Sequence, residues 1–223
     1  MGFPIEPDQQ ERSDLAGVLA HGIAVVGGCG YSPVAPGTVG SAAGVTFFVV
    51  AVLLLDASGF GPGAAATLAI HGAIVTGLCA LGVWAAGRTE ERFGRHDDGR
   101  IVIDEVAGQW IALLPLAAPG WLFGGEGGGF RFGAGFFSAV VTGFVLFRVF
   151  DAWKPGVIRW VERRLDGGFG VMADDLVAGV HAAFVLSLAI VFGAFAAGAS
   201  GAAGASGASV EFGASAVAGG IGA

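Results

Sequence analysis

Apolar residues run through this chain in long blocks separated by short polar stretches, and the blocks exceed the length of ordinary core strands. Five of them, at roughly 39–55, 64–87, 105–123, 132–150 and 175–197, reach or approach the length of a bilayer-crossing helix. The first and third are marginal, because Gly44, polar Gln109 and Pro115 weaken them. A shorter apolar run, LAGVLAHGIAVVGGCG (15–30), reads as an interfacial or re-entrant helix. The pattern predicts an all-α, polytopic membrane helix bundle with about four to five spanning helices. Residues 1–14 form a polar N-terminal arm, 15–197 the membrane domain, and 198–223 a Gly/Ala/Ser-rich stretch expected to be a flexible tail.

Composition agrees with a membrane protein. The 223 residues are 54% hydrophobic and 13% charged, against about 25% charge in a soluble domain. Mean hydropathy is +0.75. The net charge of -7 hides an uneven placement of the basic residues. Arg12, Arg88, Arg92, Arg95, Arg100, Arg148, Lys154, Arg159, Arg163 and Arg164 fall on one side of the expected topology, and only Arg131 falls on the other. The positive-inside rule makes the basic side cytoplasmic, with the N-terminus inside. The opening MGFPIEPDQQERSD does not match a cleavable signal peptide. Cys29 and Cys79 suggest neither a disulfide framework nor a zinc site, and the four histidines form no ligand pair.

That topology puts three polar motifs in one layer at the cytoplasmic edge. They are SPVAPGTVGS (32–41), HDDGRIVIDEVAG (96–108) and GGFGVMADDLVAG (167–179), and FRVFDAWKP (147–155) joins them. Each has a plain and a chemical reading. SPVAPGTVGS is either a turn with Thr38 capping a helix, or a phosphate cradle of Thr38, Ser41 and free backbone N–H groups. In Asp104-Glu105 and Asp174-Asp175, helix capping accounts for one acid of each pair and leaves the second unexplained. A divalent cation removes their mutual repulsion, and Mg²⁺ favours carboxylate oxygens. Asp151 lies at a helix C-terminus, where the dipole disfavours an anion. Arg148 and Lys154, three residues away on either side, offset it as a surface ion pair, or Asp151 serves as metal ligand or catalytic acid. Arg159, Arg163 and Arg164 either meet anionic lipid heads or hold a substrate phosphate. His96 reads as a polar loop residue.

These groups suit metal-assisted hydrolysis of a phosphorylated lipid headgroup. A small transporter or ion-conducting protein is the alternative, but it needs polar groups deep in the spans. Only His71, His181, Gln109 and scattered Ser or Thr lie at such depth.

GCGYSPVAPGTVGS (28–41), HDDGRIVIDEVAGQWI (96–111) and FRVFDAWKPGVIRWVERRLDGGFGVMADDLVAG (147–179) resemble the three signature blocks of the phosphatidylglycerophosphatase A family in order and spacing. The resemblance covers roughly residues 15–195. It implies a bacterial inner-membrane enzyme that removes the terminal phosphate of phosphatidylglycerophosphate, with Mg²⁺ required. The glycine-rich 119–131 stretch and the tail after 197 depart from the pattern and touch none of the motifs. The expected site has Asp104, Glu105, Asp174 and Asp175 on the metal. Asp151, Asp174 and Asp175 are catalytic, and Thr38, Ser41, Lys154 and Arg159 hold the substrate phosphate. The sequence leaves open whether an aspartate or a metal-bound water attacks phosphorus.

Overall fold

The computed structural model describes residues 7–58, 64–93, 98–117, 134–162, 164–165 and 167–211, with side chains for 15–58, 65–91, 98–117, 135–160, 164–165 and 167–193. His96, the 119–131 stretch and the side chains of Arg12, Arg92, Arg95, Arg131 and Arg163 lie outside the described residues. Among the described residues the secondary structure is helical throughout, as expected: α1 (Pro7–Ala24), α2 (Pro36–Ala57), α3 (Ala64–Phe93), α4 (Ile103–Leu113), α5 (Ala134–Trp153), α6 (Gly156–Glu162) and α7 (Gly167–Glu211). Short 3₁₀ turns follow α1 (Val26–Tyr31) and α4 (Leu114–Leu116).

Four helices are long and apolar enough to cross a membrane: Pro36–Ala57, Ala65–Glu91, Gly135–Trp153 and Gly167–Gly193. The first block is therefore a full-length span. The third block is described only as far as Ala117, and within it α4 has 11 residues and is about 16 Å long, half a hydrocarbon core. Pro115 sits in the 3₁₀ turn that ends it, where its missing N–H and its ring oppose another α-turn. α4 is instead the axis of the bundle, packed against α2, α3, α5 and α7. Central position accounts for its composition. Val106, Ala107, Gly108, Gln109, Trp110, Ala112 and Leu113 are all buried, so the helix needs no polar face. The long helices instead expose Leu53, Leu54, Val141, Val145, Phe184 and Phe192, as lipid-facing surfaces do.

Glycines set how closely the axis is approached. A Cβ on Gly179 of α7 would run into the Gly108 carbonyl oxygen of α4, and one on Gly108 would stand 2.6 Å from the Asp175 carbonyl oxygen. The α4 and α7 backbones thus touch through two bare glycines, the usual way membrane helices gain contact. Phe48, Val52, Leu113, Leu116, Phe136, Val140 and Leu186 fill the bundle at the end away from the motifs.

One sequence expectation changes. α7 begins at Gly167, two turns before Asp174 and Asp175, so neither acid caps it. Gly-Gly-Phe-Gly looked like a loop because glycine is a poor helix former. Here Gly167 makes the turn into the helix at φ 63°, and Gly168 packs against the Val83 carbonyl of α3. The backbone of α7 is helical to Glu211. Its frequent alanines favour helix.

Candidate metal and phosphate site

The motif-bearing ends meet at one end of the bundle. Three carboxylates from two helices, Asp104 and Glu105 of α4 and Asp175 of α7, place one oxygen each within 4.8 Å of one another. The Gly108–Gly179 contact lies about one turn further along each helix and brings the acids together. Asp175 is 3% exposed. Asp151, near the C-terminal end of α5, adds its negative charge beside Glu105 and Asp175.

Neither pair of acids behaves as a simple helix cap. The residue ahead of α4 is Val102, which makes no side-chain cap, although Asp104 Oδ1 accepts the Glu105 backbone N–H at 3.0 Å. Burial, then the adjacent Glu105 charge, pushes the Asp104 carboxyl well above the usual carboxylate range, and burial also raises Glu105. Glu105 Oε2 is buried with no hydrogen-bond partner among the described residues. A partnerless carboxylate oxygen on one member of a three-carboxylate group fits a hard divalent cation, for which an all-oxygen donor set is the normal environment. The residues present therefore suit Mg²⁺.

The cations divide unequally. Lys154 Nζ binds Asp174 Oδ2 at 2.7 Å, so Asp174 faces a lysine and stands outside the three-carboxylate group. Lys154 itself adopts φ 44°, a left-handed conformation worth roughly 1–2 kcal/mol of strain in a residue with a Cβ. Its N–H closes the end of α5 on the Phe150 carbonyl at 2.8 Å, and Pro155 behind it disfavours a further helical turn. Arg148 Nη1 lies 2.8 Å from Asp151 Oδ2 and donates to Ser41 Oγ at 3.2 Å. In the sequence Arg148 reads as a topology-setting cation and a charge offset for Asp151. Its position three residues before Asp151, on the turn that faces the other motifs, was the available signal.

SPVAPGTVGS starts α2 without a side-chain cap. Ala35 takes φ 48°, and Thr38 lies inside the first turn. Ser41 is fully buried and its hydroxyl donates to the Gly37 carbonyl at 2.9 Å. A Cβ on Gly37 would strike Glu105 Oε1 and come within 3.4 Å of Arg148 Nη1. The first turn of α2 is thus pressed against the acid cluster. Arg159 is exposed on α6 and none of these contacts includes it. Asp98, Asp104, Glu105, Asp151, Asp174 and Asp175 lie at this end of the bundle.

An α-helical membrane bundle with a three-carboxylate, arginine-flanked site at one end is the class this molecule defines. Comparison with known proteins adds the family. The model of the family described as phosphatidylglycerophosphatase A matches residues 22–190. The chain is 37% identical over 166 residues to the phosphatidylglycerophosphatase A of Escherichia coli, covering 74% of this chain and 80% of that one. It is 34% identical over 167 residues to the Haemophilus influenzae protein of the same name, covering 74% and 85%. A Bacteroides thetaiotaomicron relative, 34% identical over 163 residues and covering 73% and 87%, carries the provisional name phosphatidylinositol-3-phosphatase. No solved structure matches. The chain belongs to the phosphatidylglycerophosphatase A family, a family of phosphatases.

Proposed function

We propose that this protein hydrolyses phosphatidylglycerophosphate to phosphatidylglycerol and phosphate in phospholipid biosynthesis. The reaction takes place at the cytoplasmic face of a bacterial inner membrane and depends on Mg²⁺. The observation that carries the proposal is the convergence of Asp104, Glu105 and Asp175, with a partnerless Glu105 oxygen, at the bundle end holding the basic motifs. These three residues would hold the cation, which when bound would neutralise charge building on the phosphoryl oxygens. Asp174, also expected as a ligand, keeps Lys154 in place, and the pair stands ready beside the cation site. Asp151 exchanges a proton with the attacking or leaving oxygen as the phosphorus–oxygen bond to glycerol breaks. The Thr38 hydroxyl in the first turn of α2 offers a donor to the phosphate where a helix N-terminus favours an anion, whereas Ser41, also expected there, donates to the Gly37 carbonyl and accepts from Arg148. Arg159 suits the surrounding anionic lipid surface better than the reacting phosphate.

The test uses purified full-length protein in vesicles of zwitterionic lipid, with phosphate release as the signal. Phosphatidylglycerophosphate with Mg²⁺ is expected to be cleaved, and chelation is expected to stop the reaction. Phosphatidylinositol 3-phosphate serves as the competing substrate, because one relative is named for it. Cleavage of that lipid alone would move the reading to a different headgroup. Cleavage of neither would overturn it.

A further inference from the structure

We infer that Arg148 is the residue that grips the transferred phosphate, with Ser41 and Asp151 positioning its guanidinium; this rests on the phosphatase reading above. Three observations carry it. Both polar contacts of Arg148 among the described residues, to Ser41 Oγ at 3.2 Å and Asp151 Oδ2 at 2.8 Å, use Nη1. Among the described residues, Nη2 and Nε make no hydrogen bond or ion pair, and the side chain is 26% exposed, so these donors remain open to a ligand. Arg148 also stands where the site elements converge. Nη1 is 3.4 Å from the Cβ position of Gly37, and its positive charge acts on Glu105.

A guanidinium fixed on one edge by a hydroxyl and a carboxylate, with the other edge free, is preorganised for two-point contact with a phosphoryl group. Lys154 lacks that freedom, because Asp174 holds its ammonium at 2.7 Å. Arg159 lies on an exposed face.

Inorganic phosphate, a reaction product, is the probe, measured as a competitive inhibitor of the full-length protein in vesicles. Arg148→Lys keeps the charge and loses the fork. It is expected to raise the inhibition constant for phosphate and the KM by about 10- to 100-fold, the loss of one charge-assisted hydrogen-bonding edge. The Mg²⁺ concentration giving half-maximal activity should stay within about threefold. Arg148→Ala is expected to lose more and to regain phosphate binding on addition of guanidinium ion. Arg88→Gln, removing an exposed arginine at the same end, is the control and should change neither constant. An unchanged phosphate inhibition constant in Arg148→Lys overturns the inference. If Arg148→Ala fails to fold, the lysine variant alone decides. Inactive wild-type protein would instead refute the phosphatase reading.

Discussion

Asp175 shows best how individual residues carry opposing demands. It is almost fully buried, and Asp104, Glu105 and Asp151 surround it with like charge. Without a cation this arrangement costs stability, since a buried carboxylate is tolerated only when paired. Asp175→Asn should therefore act in two directions. Hydrolysis should fall by about 100-fold or more. In the presence of a chelator, the variant should unfold at a higher temperature than wild type, by about 2–4 °C for each kcal/mol of repulsion relieved. Thermal melts in detergent with and without Mg²⁺ read both states, and added Mg²⁺ should stabilise wild type more than the variant. A variant less stable than wild type in chelator would show that Asp175 is satisfied by the protein alone. The doubled acids were legible in the sequence as an excess that capping leaves unexplained. Their division of labour was not, because Asp174 and Asp175 are neighbours that point to different partners, a matter of helix phase relative to α4 and α5.

Among the elements, the contact between α4 and α7 governs the site. Gly108 and Gly179 let the two backbones touch, and the carboxylates sit about one turn away. Gly179→Ala inserts a Cβ against the Gly108 carbonyl and 3.1 Å from Ile111 Cβ. Overpacking of this kind costs about 1–3 kcal/mol, so the variant should melt lower and bind Mg²⁺ more weakly as the acids are pushed apart. Gly193 in the same helix is the counterpart. Its Cβ would meet nothing within 4 Å, and Gly193→Ala should be neutral or stabilising by up to about 1 kcal/mol. Equal effects at the two positions, measured by thermal unfolding, would remove the glycine contact from the explanation. Neither glycine stands out in a sequence with 42 of them. Only the interhelical distance separates a glycine that must be bare from one that need not be.

The whole molecule places the ends of its helices on opposite sides of the membrane, and the topology makes a direct prediction. In a background with Cys29 and Cys79 replaced by alanine, Arg88→Cys and Arg164→Cys should react with a membrane-impermeant thiol reagent only in inside-out vesicles. Ser58→Cys, at the far end of α2, should react only in right-side-out vesicles. Labelling of Ser58→Cys from the same side as Arg88→Cys would refute the assignment of sides. Hydrophobic block length and the asymmetry of Lys and Arg determined the membrane bundle and the layer that gathers the motifs, because both are one-dimensional consequences of transfer to lipid. The length of α4, the helical start at Gly167, the Lys154–Asp174 pair and the Ser41–Arg148–Asp151 brace were decided only in three dimensions. They depend on which faces meet across helices, and apolar periodicity is silent on that where a helix is apolar all round.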